Sequence, residues 1–570
     1  MTRDTSGAPE DDARLVQGSS AVGAGILLSR LSGLLREKLL AYFLGTGLAA
    51  EAFRAALRIP NLLQNLLGDG VLTGAFVPTY ARFIRDGKNT DAGRLAGAVA
   101  SLLIAVTGVL VLLGVVFADP LTRLLTPGFP PGSPKAELTA TLVRVLTPSL
   151  GFLVLSAWCL GVLNAHRQFF RAYVAPVLWN ASIIIALAVA ASLGRATDDL
   201  AHAVAIGALV GALLQFLSQI PAVLRVAGGL RFSVRSTVPG LREVLKASLG
   251  VIMGRGIVQL SAYLDLIIAS FLAAGAIAAL GYAQVLYLLP VSLFGMSVAA
   301  ASLPDLATTD RERPHQLMAE VNRGMRRISV FVVPTVTTYL VLGPSVVTVL
   351  FGGGAFGDPE VRQVSFVLGA YALGLLASTQ SRLLQSAIYA LDDTRSPARI
   401  AAVRVVIGTL SGIAIMLILD AYRWEATGLV KVAATGLATT EARASVEALY
   451  RLGAAGLAMG ASVGAWTEWF LLRRALARTT GAPPARLGAK RAALASGGIL
   501  VGAPLGWGLA VAARPQLASA PAAIEGMVTL LPAIILFGVV AVALDVRDLP
   551  GVTSIRTRMA LSRRTPRRSR

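Results

Sequence analysis

The chain has one cysteine, Cys159, in 570 residues, and three histidines, His166, His202 and His315. A single thiol in an apolar run closes no disulfide, and three histidines without ligand spacing form no metal centre. Charge is scarce too: Asp, Glu, Lys and Arg make up 15% of the residues against 55% hydrophobic ones, and the mean hydropathy is +0.69. Those values exclude an ordinary soluble globular protein of this length. There is no phosphate loop with its terminal Lys-Ser/Thr, no nucleophile constellation and no acid pair at catalytic spacing, so neither an ATPase nor a membrane-bound enzyme is supported. The Gly-rich FGGGAFG, residues 351–357, reads as a turn between spans. The net charge of +21 sits mostly in short loops between apolar runs, without an aromatic-basic module, so no nucleic-acid partner is expected.

Apolar segments recur along nearly the whole length, joined by short polar stretches and accompanied by 57 glycines. This patterning predicts an all-α polytopic membrane protein with about fourteen transmembrane helices. They lie near residues 16–44, 50–81, 95–118, 138–163, 172–194, 200–224, 244–273, 276–303, 327–351, 361–390, 397–420, 447–472, 491–513 and 521–544. Basic residues fall in every second loop, for example Arg82/Arg85/Lys88/Arg94, Arg311/Arg313/Arg323/Arg326/Arg327 and Arg473/Arg474/Arg478. That alternation supports the span count and places both termini in the cytoplasm. The polar, acidic start MTRDTSGAPEDDAR is unlike a cleavable leader, so the first span is expected to stay in the mature protein.

Residues 41–61 resemble residues 269–291, with Ala41/Ala269, Phe43/Phe271, Gly47/Gly275 and Pro60/Pro290 in register, and 75–80 aligns loosely with 301–306. One reading is chance similarity between Ala/Leu-rich spans. The other is a parallel repeat, because an even number of spans separates the copies: two pseudo-symmetric six-helix lobes around a central cavity, followed by two C-terminal helices.

Charge inside the spans concentrates between Ser29 and Tyr80. Glu51, Arg54, Arg58, Asn61, Asn65 and Asp69 follow helical spacing and predict one polar stripe, bent near Pro60 and the glycines Gly68 and Gly70. In the first span Arg30 and Glu37 share a face, with Arg36 beside Glu37. Arg30, Arg36, Arg54 and Arg58 outnumber Glu37 and Glu51, and surplus guanidinium in a cavity suits a phosphate or carboxylate ligand. The alternative is that these arginines reach to head groups or pair with glutamates at the interface. Asp265, well inside the seventh span with no basic residue within one turn, reads either as a proton- or Na⁺-coupling residue or as a hydrogen-bonded structural acid.

SRLSGLLREKLLAYFLGTG and EAFRAALRIPNLLQNLLGDGVLTGAFVPTYA resemble the opening of the MurJ/MviN lipid II flippases of the multidrug/oligosaccharidyl-lipid/polysaccharide exporter superfamily. GVLNAHRQFFRAYVAPVLWN, GYAQVLYLLPVSLFG, LFGGGAFG and YALDDTRSPARI carry the resemblance onward. It implies a fourteen-span, two-lobed flippase in the bacterial cytoplasmic membrane, moving an undecaprenyl-diphosphate-linked peptidoglycan precursor by alternating access. No cofactor is implied beyond Na⁺ or H⁺ coupling, and the expected partners are the lipid-linked diphosphate, membrane lipids and cell-wall synthesis proteins, with the chain a monomer. The implied divisions are a tail at 1–15, lobes at 16–226 and 244–478 joined by a linker at 227–243, an outward loop at 421–446, two extra helices at 479–545 and a basic tail at 546–570.

Carried over by resemblance, Arg30 and Arg36 match cavity arginines, and Glu37 and Glu51 stand where the family commonly has Asp. Asp265, Asp393, Val405 and Thr409 look similar to a cation site, Asp265 being the ligand for Na⁺. The chain departs from the family pattern at Gln64 and Asn65, where paired arginines are common, and at Val285, where a cavity arginine is usual. Arg54, Arg58 or Arg255 are the candidates to compensate. The competing functions are a cation-coupled exporter of another lipid-linked oligosaccharide or drug, and a non-transporting scaffold for cell-wall synthesis.

Overall fold

The computed structural model describes residues 8–232, 238–296, 314–391, 393, 395–425, 428–431, 451–483, 485–487, 489–517 and 520–543. The basic tail 546–570, the repeat copy at 301–306 and most of the outward loop 421–446 lie outside them. The chain separates into two compact units, residues 1–271 and 272–570.

In the first unit α1 (Ala8–Leu44) and α2 (Leu48–Leu63) are followed by two π-helical stretches, Gln64–Gly70 and Leu72–Phe76, and then by α3 (Val77–Arg85). Further on come α4 (Asn89–Val116), the short α5 (Ala118–Leu125), α6 (Pro134–Ala165), α7 (Phe169–Ser192), α8 (Thr197–Val226) and α9 (Leu241–Ser270). The start of α6 is encoded locally: Pro134 occupies its first turn, and the Ser133 hydroxyl accepts the Ala136 N–H at 3.3 Å. The core gathers Phe76, Tyr80, Leu95, Val154 and Trp158, where α6 packs against α3, α4 and the π stretches. Polar links cross it without leaving donors stranded: Trp158 Nε1 donates to the Ala96 carbonyl at 3.1 Å, and Gln215 and Gln219 of α8 both donate to Ser156 Oγ.

The second unit begins with α10 (Ala276–Pro290) and a π turn, Val291–Met296. Next come α11 (Pro314–Val341), α12 (Gly343–Phe351), α13 (Asp358–Ala390) and α14 (Arg395–Leu419). A hairpin of β1 (Tyr422–Glu425) and β2 (Gly428–Lys431) pairs Tyr422 with Lys431 and Glu425 with Gly428, antiparallel. It is the described part of the outward loop, and the one departure from the all-helical expectation among the described residues. The unit closes with α15 (Gly453–Thr480), α16 (Lys490–Ala512), α17 (Arg514–Leu517) and α18 (Ala522–Ala543).

Among the described residues nine helices are long and apolar enough to cross a membrane, and ten if α11 and α12, which meet at 90°, count as one broken span. The four expected spans not among these ten coincide with α1, α2 and its π continuation, α9 and α15. These helices carry Arg36 and Glu37, Arg54, Asp265 and Glu468. α9 is also the seventh expected span, and it packs with the first unit, against α2, α4, α5 and the π stretches.

Close approach of α14 and α15 depends on small residues. Gly456, Gly460 and Gly464 on α15 face α14 at Met416, Gly412 and Gly408, and a Cβ at Gly460 would stand 2.2 Å from the Gly412 Cα. Gly460→Leu is therefore expected to destabilise the protein by about 3 kcal/mol, the upper range for overpacking. A thermal melt of the purified variant checks this; an unchanged midpoint would contradict the seam.

Candidate functional site

Glu37 of α1 is buried and holds two arginines. Its Oε1 accepts from Arg36 Nη2 at 2.6 Å and its Oε2 from Arg54 Nη2 of α2 at 2.7 Å. The second terminal nitrogen of Arg36 donates to Asn180 Oδ1 of α7 at 2.9 Å, and its guanidinium lies 4.7 Å from the Trp179 ring centre. Asn180 in turn donates through Nδ2 to Ser32 Oγ at 2.9 Å, so its amide orientation is fixed from α1 as well. Asn180 lies mid-way along α7. Two guanidiniums against one carboxylate leave one net positive charge there. Removing charge from water costs several kcal/mol per ion, which only close pairing offsets, and here the pairing is close.

The other expected substrate residues are placed as follows. Arg30, on α1, is exposed, and Arg58 is half-buried with its backbone carbonyl accepting from the Tyr263 hydroxyl of α9 at 3.0 Å. Glu51 pairs with Lys135 at the start of α6, whose ammonium lies 4.2 Å from the Phe129 ring centre. Asn61, Gln64 and Asn65 are half-buried. The expected continuous stripe is interrupted, because α-helical geometry ends at Leu63 and π geometry begins at Gln64. Pro60 lacks an N–H and cannot close the bond to the carbonyl four residues back, which loosens the helix at that point. The side chains of Asp69 and Arg255 lie outside the description.

The four residues of the expected cation site are divided between the two units. Asp265 is half-buried on α9 of the first unit, while the other three belong to the second. Asp393 Oδ1 accepts the backbone N–H groups of Arg395 at 3.1 Å and Ser396 at 2.9 Å, capping the start of α14. Those bonds, with the Ser396 side chain, hold the Asp393 carboxyl below the usual aspartate range. Val405 and Thr409 share a face of α14, but Thr409 lies about 20 Å along the helix from Ser396. No group of three or more His, Cys, Asp or Glu side chains suited to a metal occurs among the described residues.

Sequence reading missed Asn180, Trp179, Lys135 and a buried ion pair in the second unit, Arg404 with Glu468 at 2.6 Å. A signal existed for Asn180: a lone amide in the apolar centre of a span. The second unit also holds an apolar cavity of about 630 Å³, lined by Tyr339, Phe366, Trp424 and Met459 with Arg362.

The "Lipid II flippase MurJ" family model matches residues 40–445. A probable lipid II flippase MurJ from Rhizobium tropici is 34% identical over 405 residues, covering 69% of this chain and 74% of its own length. The lipid II flippase MurJ of Burkholderia cenocepacia is 30% identical, with 68% and 75% covered. Among solved structures, a lipid II flippase MurJ in an inward closed conformation superposes with a TM-score of 0.70 at 21% identity, over 95% of this chain and 99% of that one. An inward-facing multidrug resistance MATE family transporter of the MOP superfamily gives 0.58 at 16% identity, covering 80% and 96%.

Two expectations follow from the cluster. Glu37→Gln leaves two guanidiniums without their shared carboxylate and is expected to cost about 3–5 kcal/mol, as for breaking a buried pair. Arg54→Gln in that background is expected to cost less than it does alone, and a double-mutant cycle on melting midpoints measures the coupling. For Asp393, the lowered carboxyl sets the sign of the pH effect: its stabilisation is present above the usual aspartate range and lost as pH falls through the lowered value. Asp393→Asn, which still caps, is expected to remove that acid dependence in a pH series of melts.

Proposed function

The chain belongs to the lipid II flippase MurJ family, a family of transporters rather than enzymes, and from this premise we propose that it carries lipid II from the inner to the outer leaflet of the bacterial cytoplasmic membrane by alternating access. The observation that supports a diphosphate-linked substrate is the buried Arg36–Glu37–Arg54 cluster, with its net positive charge and its amide and indole supports. Guanidinium presents paired donors that match phosphate oxygens, and charge-assisted bonds of this type are among the strongest a protein makes.

Arg54 takes over the cationic role that the family commonly gives to arginine at the position of Gln64. It reaches the same carboxylate from about 15 Å earlier along the helix. In this proposal the diphosphate enters beside Arg36 and Arg54, and Glu37 keeps both guanidiniums in place whether or not the ligand is bound. Arg30 and Arg58 extend the positive path along α1 and α2, and Asn61, Gln64 and Asn65 offer neutral hydrogen bonds where the backbone loosens.

Binding alone gives no net direction, so a gradient or removal of product must bias the cycle. Asp265 is the proposed coupling carboxylate, taking a proton or Na⁺; Asp393 is left to its helix cap. Both termini are proposed to be cytoplasmic, on the alternation of basic loops.

Complementation of a flippase-depleted bacterium tests the proposal. Wild type is expected to restore growth, and Arg36→Ala and Arg54→Ala to abolish it at equal membrane abundance. Rescue by both variants would exclude the cluster as the substrate site. Asp265→Asn is expected to remove ion dependence from transport, and a variant that keeps it would exclude that residue as the coupling group.

A further inference from the structure

A second group of arginines occupies the second unit, on helices to which the sequence assigned no anion-binding role. Glu468, near the midpoint of α15 and 2% exposed, accepts from Arg404 Nη1 of α14 at 2.6 Å and from Gln385 Nε2 of α13 at 2.8 Å. Each oxygen of the carboxylate therefore has one donor, as in the Glu37 cluster. Arg382, one turn before Gln385, is exposed and makes only a long contact to the Gln385 amide oxygen, 3.5 Å. The Tyr287 hydroxyl of α10 donates to Ser378 Oγ at 2.5 Å and lies within electrostatic reach of Arg404, Arg382 and Glu468.

Depth makes these charges informative. Arg404 lies about 13 Å from the beginning of α14, an apolar helix long enough to cross a membrane, where an arginine facing lipid is costly. It is held instead by Glu468, yet its side chain stays 31% exposed, so part of the fork remains open. A purely structural ion pair needs one arginine for one glutamate, and Arg404 supplies it. Arg382 is surplus to that pairing. Glu468 holds Arg404, and Gln385 donates to Glu468 while its amide oxygen meets Arg382, so the two guanidiniums are linked through one carboxylate and one amide.

We propose that Arg382 and Arg404 form an anion site for a phosphate or diphosphate group, with Glu468 and Gln385 as positioning residues. The inference deepens the flippase reading, on which it rests for the source of the diphosphate. It gives the second unit a phosphate-binding role of its own. A membrane phospholipid head group offers the same phosphate chemistry.

The test uses the full chain in phosphatidylcholine nanodiscs titrated with inorganic pyrophosphate. Arg382→Gln is expected to weaken binding about tenfold, the loss of one charge-assisted contact, with an unchanged melting midpoint in the absence of ligand, since this side chain is exposed. Arg404→Lys keeps the charge beside Glu468 but loses the planar fork, and is expected to weaken binding to a similar degree. Unchanged pyrophosphate affinity in both variants overturns the inference. In phosphatidylglycerol nanodiscs, a weaker apparent affinity in wild type but not in Arg382→Gln assigns the site to head groups, and equal affinity in the two lipids assigns it to the diphosphate. The flippase reading falls separately, if the wild type fails to rescue a depleted cell; pyrophosphate binding does not depend on that result.

Discussion

Glu37 is a carboxylate with 6% exposure held between two guanidiniums, and each of the three charges is tolerable in an apolar chain only because of the others. That mutual dependence constrains much of the first unit. It fixes the rotation of α1 relative to α2, since both must present a charge to one point. It fixes α7, because Asn180 has to meet the second nitrogen of Arg36 while Trp179 covers the guanidinium. Glu468 imposes the same kind of constraint in the second unit, on α13, α14 and α15. An anionic head group binding beside either carboxylate would meet arginines already oriented, so little ordering entropy remains to oppose it.

Most of the architecture was legible in the sequence because hydrocarbon thickness dictates helix length and apolar content. The polytopic all-helical fold, the broken second span and the cluster of charge in the first two spans all followed from patterning. What escaped was pairing. Arg36, Glu37 and Arg54 were seen as members of a surplus, but a one-dimensional spacing rule does not reveal that Glu51 pairs with Lys135 on α6. The polar stripe from Glu51 to Asp69 was drawn with α-helical periodicity, and the π geometry after Leu63 breaks that periodicity. Arg404 and Glu468 are 64 residues apart in the chain, and no local pattern joins them. The helix cap escaped for a related reason: sequence shows Asp393 as a carboxylate, and only its position beside a helix start gives it backbone N–H groups to accept.

The departures from the family pattern acquire a physical meaning in this light. Gln64 and Val285 are uncharged where the resemblance implies arginines, and the chain carries guanidiniums elsewhere in the same units: Arg54 in the first, Arg382 and Arg404 in the second. Each unit sets guanidinium beside a buried carboxylate, Glu37 in the first and Glu468 in the second, which requires close helix approach. The glycine seam between α14 and α15 fits that requirement, since Gly464 lets α15 approach the backbone of Arg404 itself.

The central claim is that the Arg36–Glu37–Arg54 cluster handles the diphosphate during translocation. Its most direct measurement is the rate at which a lipid-linked diphosphate crosses between the leaflets of proteoliposomes, with wild type compared against Arg54→Gln at equal reconstitution and verified folding. The account predicts translocation by the wild type and a rate at least about tenfold lower in the variant, the size expected for losing one charge-assisted contact. Equal rates in the two proteins would contradict it.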